Sequence, residues 1–253
     1  MKITKHISFY YIENRICYLN KIICETNKYD FETDLYIHTN NEIFKKEDLN
    51  DYTNGNINII YHNLNNIHPY YLTWKCRESL KKQLNDYDIF IYTEDDILIP
   101  FKAITYWLKY SNKIIKYKYN LGFVRIETKC DEEYITDLPR STLKSIINLD
   151  NINYCINNIN PYCAMWIYNK EEFSNFISSK YYNINNIPGY HIREKSAIGL
   201  HGASNYWYKG TLIPLIDNKL ISDCKIYHLP NNYLEDNSSP FATIKFNEAY
   251  NPT

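Results

Sequence analysis

Glu94, Asp95 and Asp96 stand in line behind an apolar run, Tyr87-Asp88-Ile89-Phe90-Ile91-Tyr92-Thr93, and ahead of Ile97-Leu98-Ile99-Pro100. The run has the pattern of a strand buried on both faces, which would deliver all three acids to one edge of a sheet. Carboxylates crowded at the end of a buried element repel one another and lose hydration, so the arrangement is costly unless a cation shares it. With no thiolate or imidazole nearby in sequence, hard oxygen donors suit Mg²⁺ or Mn²⁺ rather than zinc, and leave positions open for phosphate oxygens. A solvated acidic turn after a strand is the alternative that the triplet alone leaves open.

Phosphate handling in α/β proteins commonly rests on a glycine-rich loop. Here the six glycines, Gly55, Gly122, Gly189, Gly199, Gly202 and Gly210, form neither GxGxxG nor a P-loop. A divalent cation on Glu94 and Asp96 would supply the missing counter-charge. Lys75 and Arg77, on a helix before the acidic strand, could add to it, arginine through its bidentate fork, or could belong to a solvated helix face. Phe9, Tyr10 and Tyr11 end the first apolar segment, where at least one of them is expected to pack the core, and Arg15 follows them at the start of a helix. Thr39 and Asn40 end the second strand and could bond a ribose or cap a turn.

The elements that must position these groups alternate. His6–Ile12 reads as a strand and Asn14–Cys24 as a helix; Asp34–Asn40 and Ile57–Tyr61 read as strands, with a turn at Asn54-Gly55 between them. Leu72, Cys76, Leu80 and Leu84 recur every four residues and line one helix face, with Lys75, Arg77, Lys81 and Lys82 elsewhere on its surface. A helix over Ala103–Tyr110, strands over Leu121–Glu127 and Cys163–Tyr168, and a helix from Glu171 follow, with a loop-rich stretch from Asp131 to Asn160 and a partly ordered tail from Glu235. The alternation predicts an α/β fold, a mostly parallel Rossmann-type sheet flanked by helices, binding ligands at the carboxyl ends of its strands.

A chain of 253 residues can bury the core of one such domain without staples. Seven cysteines form no CxxC pair and are odd in number, which predicts a reducing compartment and no complete disulfide framework. No stretch approaches the ~20 apolar residues of a membrane span, so a cytoplasmic protein is expected. Lys+Arg 28 against Asp+Glu 29 leaves no basic field to draw in nucleic acid. Tyr 27 beside Gly 6, with Ile, Asn and Lys abundant, reflects an AT-biased gene rather than chemistry.

Tyr92-Thr93-Glu94-Asp95-Asp96, behind a buried strand and this order of elements, resembles the DxD-type motif of GT-A nucleotide-sugar glycosyltransferases. His68-Pro69-Tyr70, Leu72-Thr73-Trp74-Lys75-Cys76-Arg77, Asn160-Pro161-Tyr162-Cys163-Ala164-Met165-Trp166, Gly189-Tyr190-His191-Ile192-Arg193-Glu194-Lys195 and His228-Leu229-Pro230-Asn231 are similar to phrases of small GT-A enzymes of large DNA viruses. The resemblance covers the first half best. It implies one GT-A-like domain, with residues 1–100 binding the nucleotide sugar, 101–234 forming a looser acceptor side and 235–253 a tail. It further implies that Phe9, Tyr10 and Tyr11 lie where the nucleotide base is held, that Asp96 ligates Mn²⁺ or Mg²⁺ on the donor diphosphate, that Glu94 supports the metal or faces the ribose, and that Asp95 shares the site. Glutamate in first position departs from the motif and leaves the division of labour among the three acids open. A late histidine, His228, completes the metal shell in this picture, or is an ordinary structural residue. Glu194, held ionised by Arg193, Lys195 and a helix start, would be the general base of an inverting transfer, or one member of a surface charge cluster. The partners implied are a UDP-type nucleotide-sugar donor and a glycan or protein hydroxyl acceptor. Two rivals stand beside this. A nucleotidyltransferase acting on sugar phosphates normally brings a basic glycine-rich loop. A carbohydrate-binding module would draw on the 16% aromatic content.

Overall fold

The structure, a computed structural model, describes residues 1–187, 191–198 and 210–251. Gly189, Tyr190 and the stretch from Gly199 up to Gly210, expected to shape the acceptor side, lie outside the described residues except for Gly210. In chain order the elements are β1 (Ile3–Phe9), α1 (Ile16–Thr26), β2 (Thr33–Thr39), β3 (Ile57–Tyr61), α2 (Leu72–Lys82), β4 (Ile89–Glu94), β5 (Ile97–Leu98), α3 (Phe101–Ile115), β6 (Tyr119–Leu121), β7 (Val124–Lys129) and β8 (Glu132–Ile135). They continue with β9 (Ile146–Leu149), β10 (Ile152–Ile156), β11 (Met165–Asn169), α4 (Lys170–Ile177), α5 (Ile192–Ile198), β12 (Gly210–Ile216), β13 (Lys219–Leu220), β14 (Lys225–His228), α6 (Asn232–Glu235) and β15 (Ile244–Lys245).

The chain divides into two compact units: Met1–Ile97 with Ala164–Ala197, and Leu98–Cys163 with Ile198–Thr253. The first carries a five-stranded sheet ordered β11-β4-β1-β2-β3, parallel throughout except for β11, which runs antiparallel to β4 at one edge. β1 and β4 are buried along their whole lengths: β4 carries the apolar run that predicts this, whereas β1, which starts at Ile3 rather than His6, buries Thr4, Lys5, His6 and Ser8 among its apolar residues. Ile3, Ile7, Leu35, Ile37, Phe90 and Trp166 from the sheet, with Leu19, Ile22 and Ile23 of α1 and Cys76 and Leu80 of α2, form the core.

The second unit holds two antiparallel-rich sheets, one with β15-β8-β7-β14 in sequence across it, the other β13-β12-β10-β9 with β6 parallel to β12. The stretch from Asp131 to Asn160, expected to be loop-rich, is mostly turn and irregular chain but also carries the short strands β8, β9 and β10. Cys130-Asp131, Asp150-Asn151 and Asp217-Asn218 all have positive φ and each joins two strands by a two-residue turn, the left-handed pair that tight hairpins require. Asn-rich composition hid these strands behind turn-like residues. The segment from Glu235, expected to be only partly ordered, contributes β15, paired with β8.

Three histidines form a ladder across the first sheet that sequence reading missed. His6 Nδ1 lies 2.8 Å from His38 Nε2, and His38 Nδ1 lies 2.8 Å from His62 Nε2. At the inner end the Thr4 hydroxyl and His6 Nε2 both approach Gln83 Oε1, at 2.9 Å each. With that oxygen as acceptor, His6 Nε2 carries the proton, and each ring accepts at Nδ1 from the Nε2–H of the next. A proton added to an inner ring would place a charge in the buried interior and reverse the donor direction along the ladder. Burial, the main cause, pushes His6 down to about 3 and His38 well below the usual 6.5, and the neighbouring rings deepen the fall at His38. The groups facing the ladder are Tyr36, stacked 4.7 Å from His6, Gln83 at the end of α2, and Lys75 and Glu78 of α2 near His62. Folded-state values below the unfolded one mean stability that is present above pH 6.5 and is lost as pH falls toward the folded value. At pH 5 His6 alone then removes about 2 kcal/mol relative to pH 7. Thermal melts should show Tm dropping by about 4–8 °C from this residue between pH 7 and 5, and His6→Gln should flatten that part of the slope; an equal slope in the variant would exclude the ladder as its source.

Candidate functional site

β4 lies between β1 and β11, so its carboxyl end opens where the parallel order gives way to an antiparallel edge. Glu94 is its last residue, with a backbone N–H that donates to Ala164 O at 3.0 Å, and Asp95-Asp96 form the tight turn that follows. Glu94 and Asp95 are buried, 7% and 5% exposed, and Asp96 is nearly so. Arg15, at the start of α1, answers them. Its Nη2 donates to Asp95 Oδ1 at 2.9 Å and to Asp96 Oδ2 at 2.6 Å. Asp95 Oδ2 is buried with no hydrogen-bond partner. Burial and the adjoining Asp96 push the Asp95 carboxyl well above the usual carboxylate range, and Arg15 works against them.

Glu94 faces a second cation. Arg193 of α5 brings Nε to 3.8 Å from Glu94 Oε2 and Nη2 to 3.9 Å from Glu194 Oε1, while its guanidinium lies 5.1 Å from the Tyr70 ring. Arg193 thus links the strand-end acid to Glu194, whose Oε2 is buried without a hydrogen-bond partner. The acids, Arg15, Arg193 and Glu194 all belong to the first unit.

Arg77 departs from expectation. It does not lie on the solvated surface of α2, where it could reach a phosphate, and is 2% exposed. Its guanidinium stacks 3.6 Å from the Trp74 ring and Nη2 donates to Ser196 O at 2.5 Å. Trp74 Nε1 donates to Ile192 O at 2.9 Å, and the Ser196 hydroxyl reaches Tyr92 OH at 3.4 Å. Side chains of α2 therefore grip both ends of the segment that carries Arg193 and Glu194. A signal was present: positions 72, 73, 76, 77 and 80 form one buried stripe of α2, and Arg77 falls inside it. Lys75 lines a cleft with Tyr71, Trp74, Glu78 and Tyr182.

Phe9 packs in the core against Phe44, ring centroids 5.2 Å apart, and Tyr11 sits at the edge of the same cluster, its backbone N–H donating to Asn40 Oδ1 at 2.8 Å. Tyr10 is 42% exposed at the end of β1. Thr39 is buried and its hydroxyl accepts from Asn41 N at 3.3 Å, the turn-capping alternative of its two readings. His228 belongs to the second unit, where its Nδ1 lies 2.6 Å from Glu127 Oε1. Glu127, fully buried and unremarked in the sequence, also accepts from Tyr233 N and Leu234 N. A carboxylate on one ring nitrogen fixes the histidine's tautomer and orientation.

No family model matches the chain, and no curated protein matches it. Among solved structures it is similar to two crystal structures of S. aureus TarS, 12% identical in both cases. The one of residues 1–349 has a TM-score of 0.43 and covers 92% of this chain and 63% of that one; the other has a TM-score of 0.44 and covers 92% and 38%. The chain therefore spans less than two thirds of either. No residue correspondence follows at that identity, and the chemistry of the site rests on its own geometry.

Among the described residues no group of three or more His, Cys, Asp or Glu side chains forms a ready metal cage. The acid pair is instead completed by a guanidinium. Loosening the grip on α5 should be measurable without any ligand: Trp74→Phe removes the bond to Ile192 O, worth about 1 kcal/mol. Hydrogen exchange at Ile192–Ile198 should accelerate roughly fivefold with the rest of the sheet unchanged; equal exchange there would show that the contact does not hold the segment.

Proposed function

We propose that this chain is a metal-dependent glycosyltransferase of the GT-A type, moving a sugar from a nucleoside-diphosphate donor, expected to be a UDP sugar, to a hydroxyl of a glycan or protein. The observation that carries this reading is the cation-hungry acid cluster at the carboxyl end of a parallel strand, where one guanidinium nitrogen bridges Asp95 and Asp96.

The residues fit a hard divalent cation. All donors are carboxylate oxygens, one of them, Asp95 Oδ2, buried and unpartnered, and Arg15 stands in as the positive charge. Asp95 and Asp96 would hold Mg²⁺ or Mn²⁺, with Glu94 behind them. When bound, the ion would neutralise charge on the departing diphosphate. The chain's own side chains do the rest. Tyr10, exposed at the end of β1, offers a ring for the base, whereas Phe9 serves the core. Glu194 takes the proton from the acceptor hydroxyl as its oxygen attacks the anomeric carbon and the bond to the diphosphate breaks, a single displacement with inversion. Arg193, between Glu94 and Glu194, keeps the carboxylate aligned with the donor end.

A nucleotidyltransferase is disfavoured because the turn after β1, Tyr10–Asn14, contains no glycine to admit a phosphate against the backbone. A sugar-binding module has no use for buried, mutually repelling acids. All seven cysteines are unpaired, in keeping with a reducing compartment, and among the described residues no helix is long and apolar enough to cross a membrane.

Asp96→Ala should abolish transfer and Mn²⁺-dependent UDP binding while far-UV circular dichroism stays that of the wild type, since removing one crowded carboxylate relieves repulsion. Full turnover by the EDTA-treated variant would exclude the metal reading. Glu194→Gln should keep donor binding and lose about 10²–10⁴-fold in kcat. Near wild-type turnover, or NMR of the product showing a retained anomeric configuration, would take Glu194 out of the base role.

A further inference from the structure

Arg15 makes both of its acid contacts through a single nitrogen, Nη2, while its Nε is buried with no hydrogen-bond partner. The bidentate fork that suits a carboxylate or phosphate is thus not used on either acid. The side chain is 28% exposed, against 7% for Asp95 and 13% for Asp96, so of the three groups the cation is the one most open to solvent. Arg15 closes the single 3-10 turn Glu13–Arg15 ahead of α1, on the connection that leaves the carboxyl end of β1 through the exposed Tyr10.

The geometry points to Arg15 as an exchangeable cation: it occupies Asp95 and Asp96 in the ligand-free protein and crosses to the donor diphosphate when a divalent ion takes its place, so that ion and diphosphate bind as a coupled pair. This inference rests on the metal-dependent reading above. The coupling follows from charge. A divalent ion entering alone meets a guanidinium already within hydrogen-bond distance of its ligands. A diphosphate entering alone meets two carboxyl groups. Entering together, the ion takes the acids and the phosphate oxygens take the guanidinium, so every charge keeps an opposite neighbour in a site where burial makes an unpaired charge costly. Arg15 accordingly lowers the affinity for the free ion and raises that for the ion–diphosphate complex.

The test needs no turnover. Binding of Mn²⁺ alone, followed by the EPR signal of the free ion, and binding of Mn²⁺–UDP, followed by calorimetry in excess Mn²⁺, are compared for wild type, Arg15→Gln, Arg15→Lys and Asp96→Ala, each checked for fold by circular dichroism. Arg15→Gln should bind Mn²⁺ alone more tightly, by a factor in the range of about 5–150 typical of coupled sites, and bind Mn²⁺–UDP more weakly than wild type. Arg15→Lys, which keeps the charge, should stay close to wild type for Mn²⁺ alone. Unchanged or weaker Mn²⁺ binding by Arg15→Gln, with Asp96→Ala still losing the ion, would overturn the exchange and leave the metal reading standing. No binding of Mn²⁺ or Mn²⁺–UDP to the wild type would overturn that reading, and the exchange with it.

Discussion

Three carboxyl groups at the end of one buried strand set the terms for the first unit. Two like charges ~4 Å apart near a protein surface repel by about 4 kcal/mol, and each also loses hydration. β4 ends as it does because the Asp95 carboxyl, pushed well above the usual carboxylate range, sheds charge more readily and because positive charge is brought to the strand end from elsewhere in the chain. Two arginines supply it from opposite ends of the sequence, Arg15 to Asp95 and Asp96, Arg193 to Glu94. The fold brings them there because parallel strands point the same way, so the turn after β1 and the turn after β4 emerge at one edge of the sheet.

Arg193 needs an anchor of its own, since α5 is only seven residues long. A helix that short is marginal by itself and takes its stability from contacts. Trp74 binds its first carbonyl, Arg77 a carbonyl near its end, and the Arg77 guanidinium carbon lies 3.6 Å over the centre of the Trp74 ring. The cost of burying Arg77 is offset in part by the Lys195 and Ser196 carbonyls on Nη2 and by the Trp74 and Phe176 faces, while its Nε and Nη1 are buried without a hydrogen-bond partner. α2 is therefore both a wall of the core and the support for the residues facing Glu94.

Much of this was legible in the sequence wherever the signal was local. An unbroken apolar run marked β4, β-branched and aromatic residues marked β1, the i, i+4 recurrence of Leu72, Cys76 and Leu80 marked α2, and the acid triplet marked the strand end. Failures came where composition or distance intervened. Asp-Asn turns read as loop because their residues are turn formers, although the same residues are what two-residue hairpins need. Arg77 read as surface because charge outweighed its place in a buried stripe. The pairs Arg15–Asp96, Arg193–Glu94 and Glu127–His228 span large sequence separations, and no spacing rule encodes which distant side chains a sheet brings face to face.

The same limit explains the histidine ladder, and it separates two kinds of buried polarity in one sheet. His6 lies on β1, His38 on β2 and His62 directly after β3, each an isolated histidine in sequence, and they become a network only through the register of the three neighbouring parallel strands. Every inner ring there has a partner at both nitrogens, so the network is satisfied as it stands and asks for nothing from outside. The acid cluster differs in kind. Asp95 retains a buried oxygen with no partner, and Arg15 serves two acids through one nitrogen while its Nε bonds nothing. Satisfied polarity inside a sheet fixes register and stability, whereas polarity left short of partners at an open strand end is a capacity to bind.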